Sequence, residues 1–348
     1  MRYIGDTVLI TPLLKALKTG IPDAQVDALV NKGTHQVLAD NPFLGNTLVF
    51  DYQRSKRSFG YTLKFMKDIR NKKYDTVIDL THNDRASLFT LVSGARRRIG
   101  YSSGHLLRRK FCYTDVIDST FGEIHTVDHH LKAAQVLGIT VTDHHPFIAV
   151  SEERIIGIEK MLLSEGLEKD EPYVVIHPGA RRWYKSWPPE RFARLGDGIF
   201  QEFGSRVIIS GGEADRKVCS FIVGNMKHRG FNLAGRVALS DLPALIKKAV
   251  CLVGNDSAAI HIATAVETPA IALFGPTDWK AWYPRRAHDQ VIAVEFPCRP
   301  CGHSRADCHL GSDYCMAHIS EDDVWAGVKK TIQTIFKDGN DIETLQKS

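Results

Sequence analysis

Short apolar runs alternate along this chain with stretches in which apolar residues return every three or four positions. The runs predict strands, the spaced stretches predict amphipathic helices, and their alternation predicts an α/β fold with parallel sheets. In the first part strands are expected at 25–30, 47–50, 76–80 and 98–101. Helices are expected there at 11–19, 61–72 and 125–137, the last stopped by Gly138. A polar helix at 152–165 leads into a second series: strand 173–177, helix 188–203, strand 206–210, helix 214–225, strand 232–234 and helix 239–248. Strand 251–254, helix 257–265 and strand 270–274 follow. An amphipathic helix at 321–337 closes the pattern, and the polar tail after it is expected to be loose. Strands end in turns rich in Gly, Pro, Asp or Ser, where open parallel sheets place their ligands.

The 348 residues are too many for one ordinary domain. The series divides into an N-terminal doubly wound domain at 1–150, a linker region at 151–170 and a second such domain at 171–320. A C-terminal helix and tail occupy 321–348. One irregularity stands at the start. A doubly wound sheet opens with a strand before its first glycine turn, whereas here Gly5-Asp6 already stands at the entry to a helix. The first strand of domain 1 is therefore expected to be missing, with the natural protein beginning upstream of Arg2.

Hydrophobic residues make up 43% and charged residues 24%, the balance of a globular chain. No apolar stretch approaches the roughly 18 residues that a membrane span needs, and the N-terminus is no signal peptide. The expected location is the cytoplasm. The net charge of +5 is uneven: residues 1–115 hold 19 Lys and Arg against 10 Asp and no Glu, or +9, which leaves −4 for the rest. A basic first half suggests a polyanionic partner. Few aromatics interleave with the basic residues, which speaks against nucleic acid.

Several segments carry chemistry. After strand 251–254 the chain runs Gly254-Asn255-Asp256-Ser257-Ala258-Ala259-Ile260-His261, with Asp256 or Ser257 expected to cap a helix and small residues behind. Such a helix start lets a phosphate approach free backbone N–H groups, and the helix dipole favours it. Lys185 lies in the loop before Trp187-Pro188, where an ammonium can neutralise a diphosphate leaving group. After strand 206–210, Glu213 could reach ribose hydroxyls, with Asp215 an equal candidate. Asp6, at the entry to the first helix, is the carboxylate chosen as general base. Arg54 and Arg57, with Lys56 between, and Arg97 within Arg96-Arg97-Arg98 suit the phosphates of an anionic acceptor.

Four segments together resemble the ADP-heptose:lipopolysaccharide heptosyltransferases, glycosyltransferase family 9, over nearly the whole chain. They are Ile4-Gly5-Asp6-Thr7 with the residues to Pro12; His177-Pro178-Gly179-Ala180 with Lys185-Ser186-Trp187-Pro188; the Gly254–Ala263 run with Phe274-Gly275-Pro276-Thr277-Asp278; and Cys298-x2-Cys301-x6-Cys308-x6-Cys315-Met316. The last is associated with second-heptose-type and related branches. The resemblance implies a GT-B fold, two Rossmann-like doubly wound domains facing a cleft. It implies an inverting transfer of heptose from ADP-heptose to the inner core of lipopolysaccharide, without a covalent sugar–enzyme intermediate. Asp6 and Lys185 would then be catalytic, Lys185 as the donor-phosphate lysine. Gly179, Glu213, Asp256, Ser257, Ala258 and His261 would hold the donor, Ala258 standing where the family usually has Gly. Arg54, Arg57 and Arg97 would meet the acceptor. Peripheral contact with the inner face of the cytoplasmic membrane would follow. A different nucleotide-sugar donor, or a nucleotide-sugar epimerase on the same scaffold, are the competing enzymes.

Of the seven cysteines, Cys298, Cys301, Cys308 and Cys315 crowd into one loop, close enough in sequence to converge on a tetrahedral metal. Structural zinc, an iron–sulfur cluster and free or paired thiols all remain open for them. Transfer itself is expected to need no cofactor, since Lys185 and a helix end can carry the phosphate charge.

Overall fold

The computed structural model describes residues 3–81, 83–102, 110–301 and 307–338, and the chain falls into two compact units, Met1–Pro146 and Phe147–Ser348. The polar tail after residue 338, the ground upstream of Arg2 and the middle of the cysteine loop lie outside the described residues.

Unit 1 runs α1 (Ile4–Leu9), α2 (Thr11–Gly20), β1 (Asp27–Asn31), β2 (Asn46–Phe50), α3 (Tyr52–Arg57), α4 (Phe59–Asn71), β3 (Thr76–Ile78), α5 (Asp84–Ser93), β4 (Arg97–Tyr101), β5 (Asp115–Ile117) and α6 (Thr126–Val136). Its described strands form two parallel sheets, β1–β2 and β3–β4–β5. Gly5 and Asp6, read from sequence as a turn, already lie in the first turn of α1. Below α4, Phe50, Phe65, Phe89 and Tyr61 pack ring on ring, with Phe50 and Phe65 centroids 4.9 Å apart in an edge arrangement.

Unit 2 runs α7 (Glu152–Glu165), β6 (Tyr173–His177), α8 (Pro189–Phe203), β7 (Arg206–Ile209), α9 (Arg216–Asn225), β8 (Gly230–Asn232), α10 (Leu242–Lys247), β9 (Leu252–Asn255), α11 (Ala258–Ala265), β10 (Ala270–Phe274), β11 (Gln290–Ala293) and α12 (Glu321–Asp338). The six strands form one parallel sheet in the order β11-β10-β9-β6-β7-β8. Val174, Ile176, Val207, Ile209, Val253 and Ile271 bury one face against α8, α9 and α12. Every residue of β9 and β10 is buried, which is why these strands read as continuous apolar runs and not as alternation. Strand order reverses between β6 and β9, so the crevice of this sheet opens at their carboxyl ends. Helix α7, read from sequence as part of a linker, is fastened to unit 2 by Arg154 to Asp241 at 2.5 Å and Lys248 to Glu159 at 3.1 Å.

The α/β architecture with parallel sheets follows the sequence pattern. Five elements do not: α1, α3, α5, β5 and β11 were not expected, and β8 begins two residues earlier than the predicted strand at 232–234.

Candidate active site

The carboxyl ends of β6 and β9 collect most of the residues singled out in the second half. Asn255 is the last residue of β9 and is fully buried. Its side chain donates Nδ2 to the Pro178 carbonyl at 2.7 Å and accepts at Oδ1 from the Trp187 backbone N–H at 3.0 Å. It thereby ties the turn after β6 to the loop that precedes α8. Trp187 fills the core beneath and donates its indole N–H to the Ile319 carbonyl at 3.0 Å. Two residues before it, a short 3-10 turn (Trp183–Lys185) aims Lys185 back toward β9.

Lys185 Nζ donates to Asp256 Oδ2 at 2.9 Å, and Thr277 Oγ1 donates to the same oxygen at 2.6 Å. Three chain segments, from the ends of β6, β9 and β10, thus meet on one carboxylate. Burial pushes the Asp256 carboxyl upward, but the Lys185 charge, the Lys185 and Thr277 hydrogen bonds and His261 outweigh it and hold it below the usual carboxylate range. His261, on the buried face of α11, is brought down to about 4 by burial, with the Asp256 charge opposing. It is therefore neutral at pH 7. Its ring lies 6.4 Å from that of Trp282.

The sequence expectation that Asp256 or Ser257 caps α11 needs correction. Ser257 occupies the cap position in extended backbone, yet no side chain caps the helix. The Asp256 carboxylate is drawn instead to the Lys185 ammonium, a stronger partner than a backbone N–H. Ser257 Oγ is a buried polar atom without a hydrogen-bond partner. Ala258 opens α11 between two other small residues, Ser257 and Ala259, so the helix begins with its first N–H groups at the carboxyl end of β9.

On the β6–β7 side, Gly179 and Asp215 touch. A methyl group on Gly179 would stand 2.7 Å from Asp215 Oδ2, so only glycine fits while that carboxylate is in place. Asp215 in turn accepts from the Gly212 N–H at 2.8 Å, and its charge reaches His177, whose imidazole burial holds down and which bonds Ser210 Oγ at 2.9 Å. Glu213 points elsewhere: its side chain is 74% exposed and pairs with Arg216 at 2.8 Å. Of the two acids considered for the ribose, Asp215 is the one against the end of β6.

In unit 1, Asp6 lies half-buried in the first turn of α1, beside buried Thr7, Val8 and Leu9. Arg54 and Arg57 sit exposed on α3, whose cap is Asp51. Arg97, expected as an acceptor contact, is engaged within unit 1. Its guanidinium pairs with Asp115 at 3.1 Å on the neighbouring strand and donates to the Val136 carbonyl at 2.8 Å, a structural clamp between β4, β5 and α6.

Among the described residues, which include all seven cysteines, no two are joined in a disulfide. Cys298, Cys301, Cys308 and Cys315 line one cavity of about 10 Å³ together with Tyr184 and Pro276. Among the described residues no three His, Cys, Asp or Glu side chains stand close enough to share a metal ion. The loop is fastened to the site from behind: Cys301 N–H donates to the Pro276 carbonyl at 2.8 Å, Arg299 to the Thr277 carbonyl at 3.1 Å, and Trp183 Nε1 to Asp307 at 2.7 Å. Sequence reasoning had not selected Asn255 or Thr277 as site residues, although both stand in quoted motifs. Their signal was adjacency to a strand end, shared with many structural residues.

Comparison with known proteins gives the lineage and the fold. The model of glycosyltransferase family 9 (heptosyltransferase) matches residues 62–309. Lipopolysaccharide heptosyltransferase 3 of Escherichia coli (strain K12) is 33% identical over 293 residues, covering 82% of this chain and 83% of that protein. Among solved structures, a family 9 glycosyl transferase from Veillonella parvula DSM 2008 superposes with a TM-score of 0.83 at 24% identity, covering 96% of each chain. E. coli ADP-heptose lps heptosyltransferase II gives 0.77 at 20% identity, over 96% of this chain and 97% of that one. These likenesses fix the fold as GT-B, and the sequence match fixes the lineage. The chain is a glycosyltransferase and belongs to glycosyltransferase family 9, the heptosyltransferases.

Proposed function

We propose that this chain transfers heptose from ADP-heptose to the inner core of lipopolysaccharide with inversion at the anomeric carbon. The names of its relatives and its family support the donor and acceptor. One observation carries the reading to particular residues: Lys185, Asp256 and Thr277 meet beside the uncapped start of α11, at the switch point of the unit 2 sheet. The acceptor oxygen bonds to the anomeric carbon while the bond from that carbon to the β-phosphate oxygen breaks, and ADP leaves with the electron pair. Lys185 and the α11 N–H groups take up the charge that develops on the diphosphate. Gly179, Ser257, Ala258 and His261 line the donor end, with Asp215 preferred over Glu213. Asp6 accepts the acceptor proton, and Arg54 and Arg57 meet acceptor phosphates. With the phosphate charge so assigned, the scheme calls for no metal.

The deciding experiment is a screen of nucleotide sugars scored by nucleotide release, with purified lipopolysaccharide-core acceptors. ADP release from ADP-heptose, dependent on acceptor, is expected. Lys185→Ala should lower turnover about 10²-fold or more, the scale of one preorganised charge stabiliser. Asp6→Asn should keep donor binding and lose transfer by about 10²- to 10⁴-fold. Acceptor-independent turnover, or preference for another nucleotide, overturns the assignment.

The cysteine loop is read as structural, a buttress behind Thr277 and Trp183. Its thiols have the chemistry to take zinc or an iron–sulfur cluster. Metal analysis of chain purified without chelator measures this directly. Whatever the metal content, Cys308→Ser should lower the melting temperature more than it lowers turnover per folded molecule. The reverse outcome would move the loop into the catalytic site.

A further inference from the structure

We infer that the helical pair α3–α4 of unit 1 is a docking surface for an anionic lipid bilayer. The inference rests on the proposed function in one respect: a glycolipid acceptor is anchored in a membrane.

Residues 52–73 carry eight Lys and Arg against a single acid, Asp68. Among the described residues none of the basic side chains of α3 or α4 enters an ion pair, and the nearby Asp51 is already taken by Lys32 at 3.1 Å. Helix α3 buries no residue at all. In α4 the inner face is aromatic and aliphatic, with Tyr61, Phe65 and Ile69 packed on Phe50 and Phe89. The outer face is not simply polar. Phe59 is 76% exposed and Leu63 50% exposed. They stand four residues apart on one stripe, continued by exposed Lys67 four residues further and flanked by exposed Lys64.

Single exposed apolar side chains are ordinary. Two large ones in one turn, set among uncompensated cations, are what a helix lying in a membrane interface presents. Phe59 and Leu63 would enter the acyl boundary while Lys56, Lys64 and Lys67 meet lipid phosphates, each contributing as basic residues do at an anionic surface. Nucleic acid would answer the charge but gives no burial to Leu63, which cannot stack on a base.

The test is flotation of the whole chain with vesicles, in the absence of any acceptor or donor. Vesicles of mixed phosphatidylcholine and phosphatidylglycerol should carry the protein, and phosphatidylcholine alone should not. Salt at about 0.5 M should release much of it, because screening at that ionic strength acts within a few ångströms. Lys64→Glu/Lys67→Glu should weaken partitioning by at least about tenfold, since each basic residue near an anionic surface is worth a factor of about five. Phe59→Ser/Leu63→Ser should also weaken it, with an unchanged melting temperature because both side chains are exposed. Both double variants should still transfer sugar to acceptor dispersed in detergent, so a failed transferase assignment and a failed docking surface give different results. No flotation of the wild type, or flotation indifferent to both double variants, overturns the inference. So does equal retention on single-stranded RNA that Phe59→Ser/Leu63→Ser leaves untouched.

Discussion

His261 is held neutral in a place where protonation would be costly. Its folded value near 4 lies below the ordinary value of about 6.5. Between those limits the unfolded chain binds a proton that the folded chain refuses, so unit 2 loses stability as pH falls from about 6.5 toward 4. The difference amounts to roughly 3 kcal/mol. Asp256 has the opposite bias. Its depressed carboxyl contributes above the ordinary carboxylate range and fails only at lower pH, so it leaves the window near pH 6 to the histidine. Thermal melts of His261→Gln should therefore decline less between pH 7 and 5 than those of the wild type. Parallel decline in the two proteins would contradict the assignment. At this scale Lys185 and Asp256 were legible, because a lysine in a loop and an aspartate at a strand end are read from sequence directly. That they bond to each other was not, since 71 positions separate them.

The strand end at Asn255 organises more of the site than any helix does. Removing its amide by Asn255→Ala would leave the Pro178 carbonyl and the Trp187 N–H buried and unpaired. Each orphaned group costs about 1–3 kcal/mol, so a loss of several kcal/mol is expected in urea unfolding of unit 2. Donor affinity should fall with it, because the lysine loop loses its tie to β9. A loss below about 1 kcal/mol would show that water replaces the amide in both bonds. Elements were legible where burial follows hydrophobicity. Helix α5 was not: its buried face is Ser87, Thr90 and Ser93 beside Phe89, hydroxyl groups that a pattern of apolar positions counts as exposed. Strand β5 is three residues long and Val116 within it is exposed, too little pattern to read. The partner of Arg97 was not legible either: Arg97 stands two residues before Ile99, the register partner of Asp115, and its side chain reaches that carboxylate from there.

At the scale of the whole chain, the uneven spread of charge was visible in the count, and so was the parallel architecture. The separation of the unit 1 strands into two sheets was not, because nothing local marks which strand lies beside which. Strand order in unit 2 has a further consequence, for the time at which the enzyme comes into being. During synthesis β6, β7 and β8 can pair with one another once about residue 232 has emerged, but β9 must then seat itself against β6, and β10 against β9. Such non-local parallel pairings form slowly, after the loops between them have closed. Lys185 is thus made long before Asp256 and Thr277 exist to receive it. A nascent chain halted in the stretch between β8 and β9 holds a half-sheet with an apolar edge and no assembled charge cluster. It is a species for chaperones to shield, and it has no means yet of splitting a sugar nucleotide.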